Sequence, residues 1–339
     1  MLRNPYILSF IFLVVMGTIL SLSSLSWFGV WLGMELNLLG IIPIMAQKGT
    51  MESSESSTKY FVVQASGSGI FFVSAILMSW NYLNWNLGSL YSFTSSDLML
   101  MSLLYKMGAA PFHFWIPSVM SGLSWDANLF LLTWQKITPL GIISTFLDFS
   151  SDMLLFLVIC SSVFGGIGGI NQTSVRSMIA YSSIIHTGWM LSIAKVSLLI
   201  SYLYFFLYFM IVMFLIILLL NKEASTMTSF SNVFFWDFSS RLYFVFILLS
   251  LGGLPPFLGF FGKLLVFMFL TSVGKFTVGV ILILGSILSL YYYLVLGFSL
   301  LLSKPLLKLT ENKAVFPAAW LMVFINLSGL MVLHWLMTF

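Results

Sequence analysis

The chain has 339 residues, of which 60% are hydrophobic and 7% are charged, and its formal net charge is +4. A soluble domain carries about 25% charged residues. So few charged side chains could not cover a water-facing surface, which excludes a soluble globular protein and makes lipid the solvent. The basic residues are spread among short polar segments rather than clustered, which argues against nucleic acid as a partner.

Long apolar runs separated by short polar segments predict membrane-spanning α-helices, because backbone polar groups in lipid must pair within the segment. In chain order, eleven candidate spans cover roughly 5–22, 26–46, 59–80, 97–121, 127–147, 153–170, 175–195, 197–220, 241–272, 275–301 and 317–337. No small-residue cleavage site follows the first run, so we interpret it as a span and not as a removable signal. The sequence therefore predicts an all-α polytopic membrane protein with eleven transmembrane helices.

Basic residues in the polar segments and at the ends of the apolar windows are concentrated on one predicted side of the membrane. With eleven spans the termini lie on opposite sides, and only Lys195 and Lys275 lie opposite the N-terminus. The N-terminal side collects Arg3, Lys48, Lys59, Arg176, Lys222, Arg241, Lys304, Lys308 and Lys313. The positive-inside rule then predicts that the N-terminus lies in the cytoplasm or in its organellar equivalent, the mitochondrial matrix.

Four Glu and Lys residues fall away from the ends of the predicted spans: Glu35 in the second, Lys106 in the fourth, Lys136 in the fifth and Lys263 in the ninth. Each costs about 2.5–3.5 kcal/mol to insert into a membrane. Structural ion pairs are one explanation, but three lysines then share one glutamate. Snorkelling to the interface is another; it suits Lys263 better than Lys106 or Lys136, which lie near the middle of their spans. We therefore favour a functional role for all four residues.

Buried lysines are suited to carrying protons. Burial disfavours the ammonium form and a nearby carboxylate favours it, so a change in the neighbouring charge can load or release a proton. A row of such lysines joined by water, hydroxyl or imidazole groups is a proton path. His113 and His186 are candidate relays, although a membrane histidine is as often only a helix-packing hydrogen bonder.

Two of the charged spans are interrupted by glycine and proline. The fourth contains Lys106-Met-Gly-Ala-Ala-Pro-Phe-His-Phe-Trp-Ile-Pro, and the ninth contains Gly252-Gly-Leu-Pro-Pro-Phe-Leu-Gly-Phe-Phe-Gly-Lys263. Proline removes an N–H donor and clashes with the preceding turn, so both helices are predicted to be discontinuous. Simple proline kinks are the alternative, but they explain one break more easily than two at matching positions.

The positions of the breaks predict an internal repeat. If each unit has five spans, both breaks fall in the fourth member, and an odd number of spans makes the two units inverted in the membrane. The predicted organisation is a first repeat over 1–148, a second repeat over 149–302, and a loop with a C-terminal helix over 303–339. Broken helices at the centre of inverted repeats are typical of transporter working sites.

Four motifs, in order along nearly the whole chain, resemble a known family. They are the Lys106-Met-Gly-Ala-Ala-Pro-Phe-His-Phe-Trp segment, Trp-Gln-Lys136-Ile-Thr-Pro, Gly-Gly-Ile-Asn-Gln-Thr-Ser-Val-Arg176 with Ala-Tyr-Ser-Ser-Ile-Ile-His186, and Gly-Gly-Leu-Pro-Pro-Phe. Together they are similar to the antiporter-like subunit 2 family of respiratory NADH–ubiquinone oxidoreductase (complex I). The resemblance implies a Glu35–Lys106 pair, a central lysine at Lys136 and an exit-side lysine at Lys263.

The resemblance also implies a setting for the chain. It implies a proton-pumping subunit in the mitochondrial inner membrane, with its N-terminus in the matrix and its C-terminus in the intermembrane space. The expected partners are other membrane-arm subunits and lipids, including cardiolipin, and no nucleic acid. FMN and iron–sulfur clusters are expected in partner subunits, with no cofactor or metal in this chain. Two alternatives stay open: a stand-alone cation/proton antiporter and a structural spacer of the membrane arm.

Overall fold

The computed structural model describes residues 5–82, 93–145, 151–221, 236–302 and 326, and it contains no strand within these ranges. This confirms the all-α prediction. The helices are α1 (Pro5–Ser23), α2 (Trp27–Met45), α3 (Met51–Tyr82), α4 (Phe93–Met107), α5 (Trp115–Gly122), α6 (Trp125–Leu132), α7 (Trp134–Thr145), α8 (Ser151–Gly169), α9 (Val175–Ala194), α10 (Leu198–Asn221), α11 (Phe238–Gly252), α12 (Leu258–Ser272) and α13 (Phe276–Leu302). A short 3-10 helix, Ala46–Lys48, follows α2.

Five of the described helices are long and apolar enough to cross a membrane, judged by length and composition: α1, α2, α3, α10 and α13. Helices α8, α11 and α12 are apolar but shorter. Shortness is expected of α4, α5, α11 and α12, because each is one piece of a predicted broken span. The predicted span 317–337 lies outside the described residues except for Asn326, so the total of eleven spans stays a prediction.

Helix α3 begins earlier than the sequence analysis predicts, because the polar side chains of its first turns form hydrogen bonds and an ion pair within the helix. The Thr50 hydroxyl accepts a hydrogen bond from Ser53 N at 3.2 Å. Ser54 and Ser57 each donate to the carbonyl three residues earlier, at 2.8 Å. Lys59 and Glu55 form an i,i+4 ion pair at 2.7 Å. Polar composition alone suggested a connecting segment here, but local bonding makes it helical.

Met1–Cys160 forms one compact unit. Helix α1 packs along α2 at unusually short range, because a Cβ at Gly33 would lie only 2.5 Å from Ser21 N. Small residues that allow such close approach are typical of membrane helix pairs. Helix α3 contacts α2, α4 and α5, while α7 contacts α1, α4 and α6. This packing gathers α2, α3, α4 and α7 around the residues described below.

Ser161–Phe339 forms the second compact unit. Helix α9 is central to it and contacts α10, α12 and α13, while α11 also packs on α10, α12 and α13. Every side chain of α9 except Tyr181 is buried, so this helix does not meet lipid and its polar residues lie inside the protein. The predicted repeat boundary between residues 148 and 149 stays a prediction.

Candidate functional site

The chain leaves helical geometry between α4 and α5, where glycine and proline predict a break. Gly108 has a left-handed φ of +69°, and the Ala110–Pro111 peptide bond is cis. The last carbonyls of α4 accept hydrogen bonds from side chains. Trp115 Nε1 donates to Tyr105 O at 3.2 Å, and Gln64 Nε2 of α3 donates to Lys106 O at 3.1 Å. The break is thus stabilised by protein groups rather than by solvent.

The Lys106 side chain is buried at the end of α4, with 6% of its surface exposed. Its Nζ lies 3.7 Å from Met34 Sδ, and it interacts electrostatically with the Glu35 carboxylate of α2. These two groups do not form an ion pair within 4.0 Å. The predicted Glu35–Lys106 pair is therefore brought together at a distance beyond direct contact.

A small polar cleft adjoins Lys106 between α2, α3, α4 and α7. Its polar lining is formed by Asn37, Gln64, Lys106, Gln135 and Thr138. Asn37 Nδ2 donates to Gln135 Oε1 at 3.2 Å, and Gln135 Nε2 donates to Asn37 Oδ1 at 3.0 Å. This reciprocal amide pair joins α2, which carries Glu35, to α7, which carries Lys136. Sequence reasoning missed these amides, although uncharged polar residues adjoining charged ones inside apolar spans were a usable signal.

A third interruption separates α6 from α7, and the sequence analysis did not predict it. Thr133 has φ −116° and ψ −71°. Its Oγ1 donates to Leu129 O at 2.6 Å, and Lys136 N donates to Thr133 O at 3.1 Å. A threonine hydroxyl bonded to the carbonyl four residues earlier bends a helix. The predicted span over 127–147 is therefore divided between α6 and α7, and Lys136 lies in the first turn after the break.

The third lysine is part of the break between α11 and α12. Gly253 has a left-handed φ of +87°. Lys263 Nζ donates to Gly252 O at 2.7 Å and to Leu251 O at 3.1 Å, and 7% of its side chain is exposed. The ammonium therefore caps the C-terminal end of α11, where the helix dipole favours a cation. Snorkelling of Lys263 is excluded, because its amine binds carbonyls inside the protein.

The two candidate histidines have different surroundings, although both are 4% exposed. His113 lies in the α4–α5 connection, with Nδ1 3.2 Å from Pro111 O and its ring against Phe114. His186 lies on α9, and its Nδ1 is 2.8 Å from Tyr204 Oη of α10. A tyrosine hydroxyl can exchange a proton with imidazole, so His186 has the more suitable partner for a relay.

The site residues fall into two groups, one in each unit. In the first unit, Lys106 lines the cleft and interacts with Glu35, and Lys136, itself 2% exposed, is adjacent in the chain to Gln135 of that cleft. In the second unit, His186 contacts Tyr204, and the ring of Tyr204 would lie 3.2 Å from a Cβ at Gly262, the residue before Lys263.

Comparison with known families identifies this arrangement. Residues 24–289 match the family described as "NADH:quinone oxidoreductase/Mrp antiporter, TM". The chain belongs to this family. It is 38% identical to NADH-ubiquinone oxidoreductase chain 2 of Anopheles gambiae over 330 residues, which cover 96% of each protein. This confirms the resemblance carried by the four motifs.

Solved structures share the fold. A chain of respiratory complex I from Thermus thermophilus superposes with a TM-score of 0.80 and 23% identity, over 98% of this chain and 78% of that one. A chain of the Mrp complex from Dietzia gives a TM-score of 0.77 and 19% identity, over 87% of this chain and 60% of that one. The fold is therefore that of the antiporter-like membrane proteins. Within the described residues, no three His, Cys, Asp or Glu side chains are grouped so as to hold a metal ion.

Proposed function

We propose that this chain is a proton-translocating, antiporter-like subunit of the membrane arm of a respiratory NADH–ubiquinone oxidoreductase. One observation carries the proposal: the buried Lys106 ammonium lies near the Glu35 carboxylate without a direct ion pair. The Asn37–Gln135 amide pair connects this cleft to the helix that holds Lys136. The name of the Anopheles gambiae relative supports the assignment to this enzyme.

The separation between Glu35 and Lys106 suits a charge-driven proton transfer. Two unit charges 4 Å apart near a protein surface interact by about 4 kcal/mol, and the interaction weakens as they separate. Drawing the carboxylate closer holds the proton on Lys106, and drawing it away releases the proton toward Lys136 and then Lys263. Quinone reduction elsewhere in the enzyme supplies the change of charge. His113 and His186 are the proposed relays along this route.

The remaining chemistry belongs to partners. FMN and iron–sulfur clusters are placed in other subunits, and this chain moves protons only. Other membrane-arm subunits and lipids, cardiolipin among them, cover its exposed apolar side chains, such as Phe12 on α1 and Phe298 on α13. The inner mitochondrial membrane is the proposed location, with the N-terminus in the matrix. The two inverted five-helix repeats, with their boundary at 148–149 and a C-terminal helix within 303–339, are part of the same proposal.

The decisive test measures protons moved per NADH oxidised in membranes that carry Lys106→Met or Lys136→Met. Methionine has similar length and removes the charge, so assembly should persist while the ratio falls. Lys195→Met is the matched control, because Lys195 is exposed at the end of α9. A normal proton ratio in both test variants would refute the mechanism.

A second experiment separates this function from a stand-alone antiporter, which the fold of the Mrp chain makes the main alternative. Mildly solubilised membranes are run on a native gel, stained for NADH oxidation and analysed by mass spectrometry for this chain. Comigration with the NADH-oxidising band is expected. Migration away from that band would favour the antiporter, and ion exchange by the isolated chain in vesicles would then be measured.

A structural spacer is the remaining alternative. It predicts that the lysine-to-methionine variants assemble and pump normally. The mutant proton ratio therefore distinguishes a pump from a spacer, and the native gel distinguishes a subunit from an independent antiporter.

A further inference from the structure

Four tyrosines and a histidine lie together inside the second unit, and the mechanism above uses only the histidine. Tyr204 and Tyr208 are 3% exposed, Tyr292 is 5% exposed and Tyr293 is 0% exposed. The His186 ring lies between the first two, with Nδ1 2.8 Å from Tyr204 Oη and its ring centroid 4.9 Å from that of Tyr208. Helices α9, α10 and α13 thus place five proton-bearing side chains in one buried region.

Serine hydroxyls connect these tyrosines. Tyr208 interacts with Ser183, and Tyr293 interacts with Ser182 of the same turn of α9. The Ser183 hydroxyl donates its own hydrogen to Ala180 O at 2.7 Å, and the Ser182 hydroxyl donates to Ile179 O at 2.8 Å. A serine that donates to its own helix keeps its lone pairs free to accept. Each serine therefore faces a tyrosine as an acceptor.

The α13 end of the cluster has the same arrangement. The rings of Tyr292 and Tyr293 are in edge contact, with centroids 4.8 Å apart. Tyr292 interacts with Ser289 one turn away, and the Ser289 hydroxyl donates to Ser286 O at 2.7 Å. Pairwise contacts therefore connect Ser182 of α9 to Tyr293, Tyr292 and Ser289 of α13.

Packing alone does not account for the hydroxyls of Tyr292 and Tyr293. Both hydroxyls are buried without a hydrogen bond of regular geometry, although each lies near a serine hydroxyl. A buried hydroxyl without a direct partner costs about 1–3 kcal/mol, and phenylalanine would fill the same space without that cost. Two such hydroxyls lie side by side, near acceptor serines and a histidine. This arrangement indicates that the oxygen atoms have a function beyond packing.

The cluster connects two parts of the second unit. At one end, the Tyr204 ring lies against Gly262, the neighbour of Lys263 in the chain. At the other end, Tyr292 packs on Gly169, the last residue of α8. In the predicted topology, α8 ends on the side of the N-terminus. The cluster therefore extends from the turn that holds Lys263 toward that side of the membrane.

We propose that Tyr204, His186, Tyr208, Tyr293 and Tyr292, with the serines between them, form a hydroxyl relay that carries protons between the Lys263 region and the N-terminal side. This inference rests on the proposed function. In each step an oxygen accepts a proton on a lone pair while its own O–H proton, which in the serines must first turn away from the helix carbonyl, leaves for the next acceptor. One O–H bond forms as another breaks, so each tyrosine stays neutral and no electron is transferred. His186 accepts at one ring nitrogen and releases from the other.

The test uses Tyr208→Phe and Tyr293→Phe in the assembled enzyme, because each change removes one oxygen and keeps the ring. The two residues lie on different helices, so either variant carries the test if the other does not assemble. Tyr291→Phe is the matched control, because Tyr291 adjoins Tyr292 in the chain but is 57% exposed. Three quantities are measured for each variant: protons moved per NADH oxidised, NADH oxidation without a proton gradient, and assembly on a native gel. Lys136→Met is measured in parallel.

The expected result is a lower proton ratio in Tyr208→Phe and Tyr293→Phe, comparable to that of Lys136→Met. Assembly, and the rate of NADH oxidation measured without a proton gradient, should remain near those of the unaltered enzyme. Tyr291→Phe should pump normally. A normal ratio in both tyrosine variants, with a reduced ratio in Lys136→Met, would overturn the relay and leave the proposed function intact. A normal ratio in Lys136→Met would instead overturn the proposed function itself.

Discussion

At the scale of single residues, Lys263 combines a structural contact with a proposed proton-carrying role. Lys263→Met would leave Leu251 O and Gly252 O without their donor, at a cost of about 1–3 kcal/mol for each orphaned carbonyl. We expect a lower melting temperature of the solubilised enzyme. Lys275→Met, in the connection between α12 and α13, is the control. Equal melting temperatures for the two variants would contradict the capping role.

The Asn37–Gln135 pair allows a second residue-level prediction. For a hydrogen bond between membrane helices, double-mutant cycles give about 0.6 kcal/mol on average and model peptides about 1–2 kcal/mol. A double-mutant cycle with Asn37→Leu and Gln135→Leu should therefore yield a coupling energy of about this size. Stability to denaturing detergent is the measurement. A coupling energy near zero would show that the two reciprocal bonds do not hold α2 to α7.

Charge made some of these residues predictable and its absence hid the others. Glu35, Lys106, Lys136 and Lys263 were recognised because an ionisable residue inside an apolar span is costly. Gln64 carries no charge, and its role depends on a carbonyl that only a folded break exposes. The tyrosines also carry no charge, and sequence does not show which aromatic rings face lipid. Their spacing was nevertheless informative, since Tyr204 and Tyr208 are four residues apart on one helix face.

At the scale of helical elements, the glycines at the breaks allow a controlled comparison. Gly253 and Gly274 both have positive φ, +87° and +78°. A side chain in this conformation costs about 1–2 kcal/mol, so alanine should destabilise both positions. Only at Gly253 would the new Cβ meet the Lys263 amine, at 2.9 Å, whereas nothing lies within 4 Å at Gly274.

Gly253→Ala should therefore lower the melting temperature and the proton ratio, while Gly274→Ala should lower the melting temperature only slightly. Proton pumping and thermal unfolding, measured on both variants, check this. Equal effects on pumping would mean that contact with Lys263 is unimportant.

The α6–α7 interruption provides a prediction of its own. Thr133→Val keeps the shape of the side chain and removes the hydroxyl that bonds to Leu129 O. We expect the helix to straighten, which would move Lys136 and lower the proton ratio with little change in assembly. Thr145→Val, at the end of α7, removes an equivalent bond to Gly141 O and should pump normally. Normal pumping in both variants would contradict the role of the break.

The breaks show what a helix-breaking pattern predicts and what it does not. Glycine with proline marked the interruptions after Lys106 and before Lys263. Proline alone is a weaker signal, because Pro43 lies inside α2 and Pro139 inside α7 without ending either helix. The Thr133 break contains neither residue and depends on a side-chain bond, which composition does not reveal.

At the scale of the whole molecule, the orientation in the membrane is open to a direct test. Gln47 and Lys195 are both exposed and lie on opposite predicted sides. A cysteine at position 47 should react with an impermeant reagent from the matrix side, and a cysteine at position 195 from the intermembrane space. Cys160 is partly exposed and is replaced by serine in both variants. Labelling of both positions from one side would refute the orientation.

The fold class was more predictable from the sequence than the packing of the helices within each unit. The all-helical class follows from hydrophobicity, because lipid leaves few alternatives for the backbone. How helices pack within a unit depends on fine features such as the close approach at Gly33, which hydrophobicity does not encode. The burial of nearly all of α9 belongs to this second kind.

The two proline-containing breaks are closed by different chemistry, and this gives them different mechanical properties. At the first, the amide of Gln64 holds the carbonyl of Lys106 whatever the charge on the lysine. At the second, the Lys263 amine itself caps the end of α11 through two hydrogen bonds to its carbonyls. By linkage, a change that strengthens these two hydrogen bonds also favours the protonated form of Lys263, and loss of the proton weakens the bonds. The first break is therefore independent of the charge on its lysine, whereas the second should loosen when the proposed transfer removes the proton from Lys263.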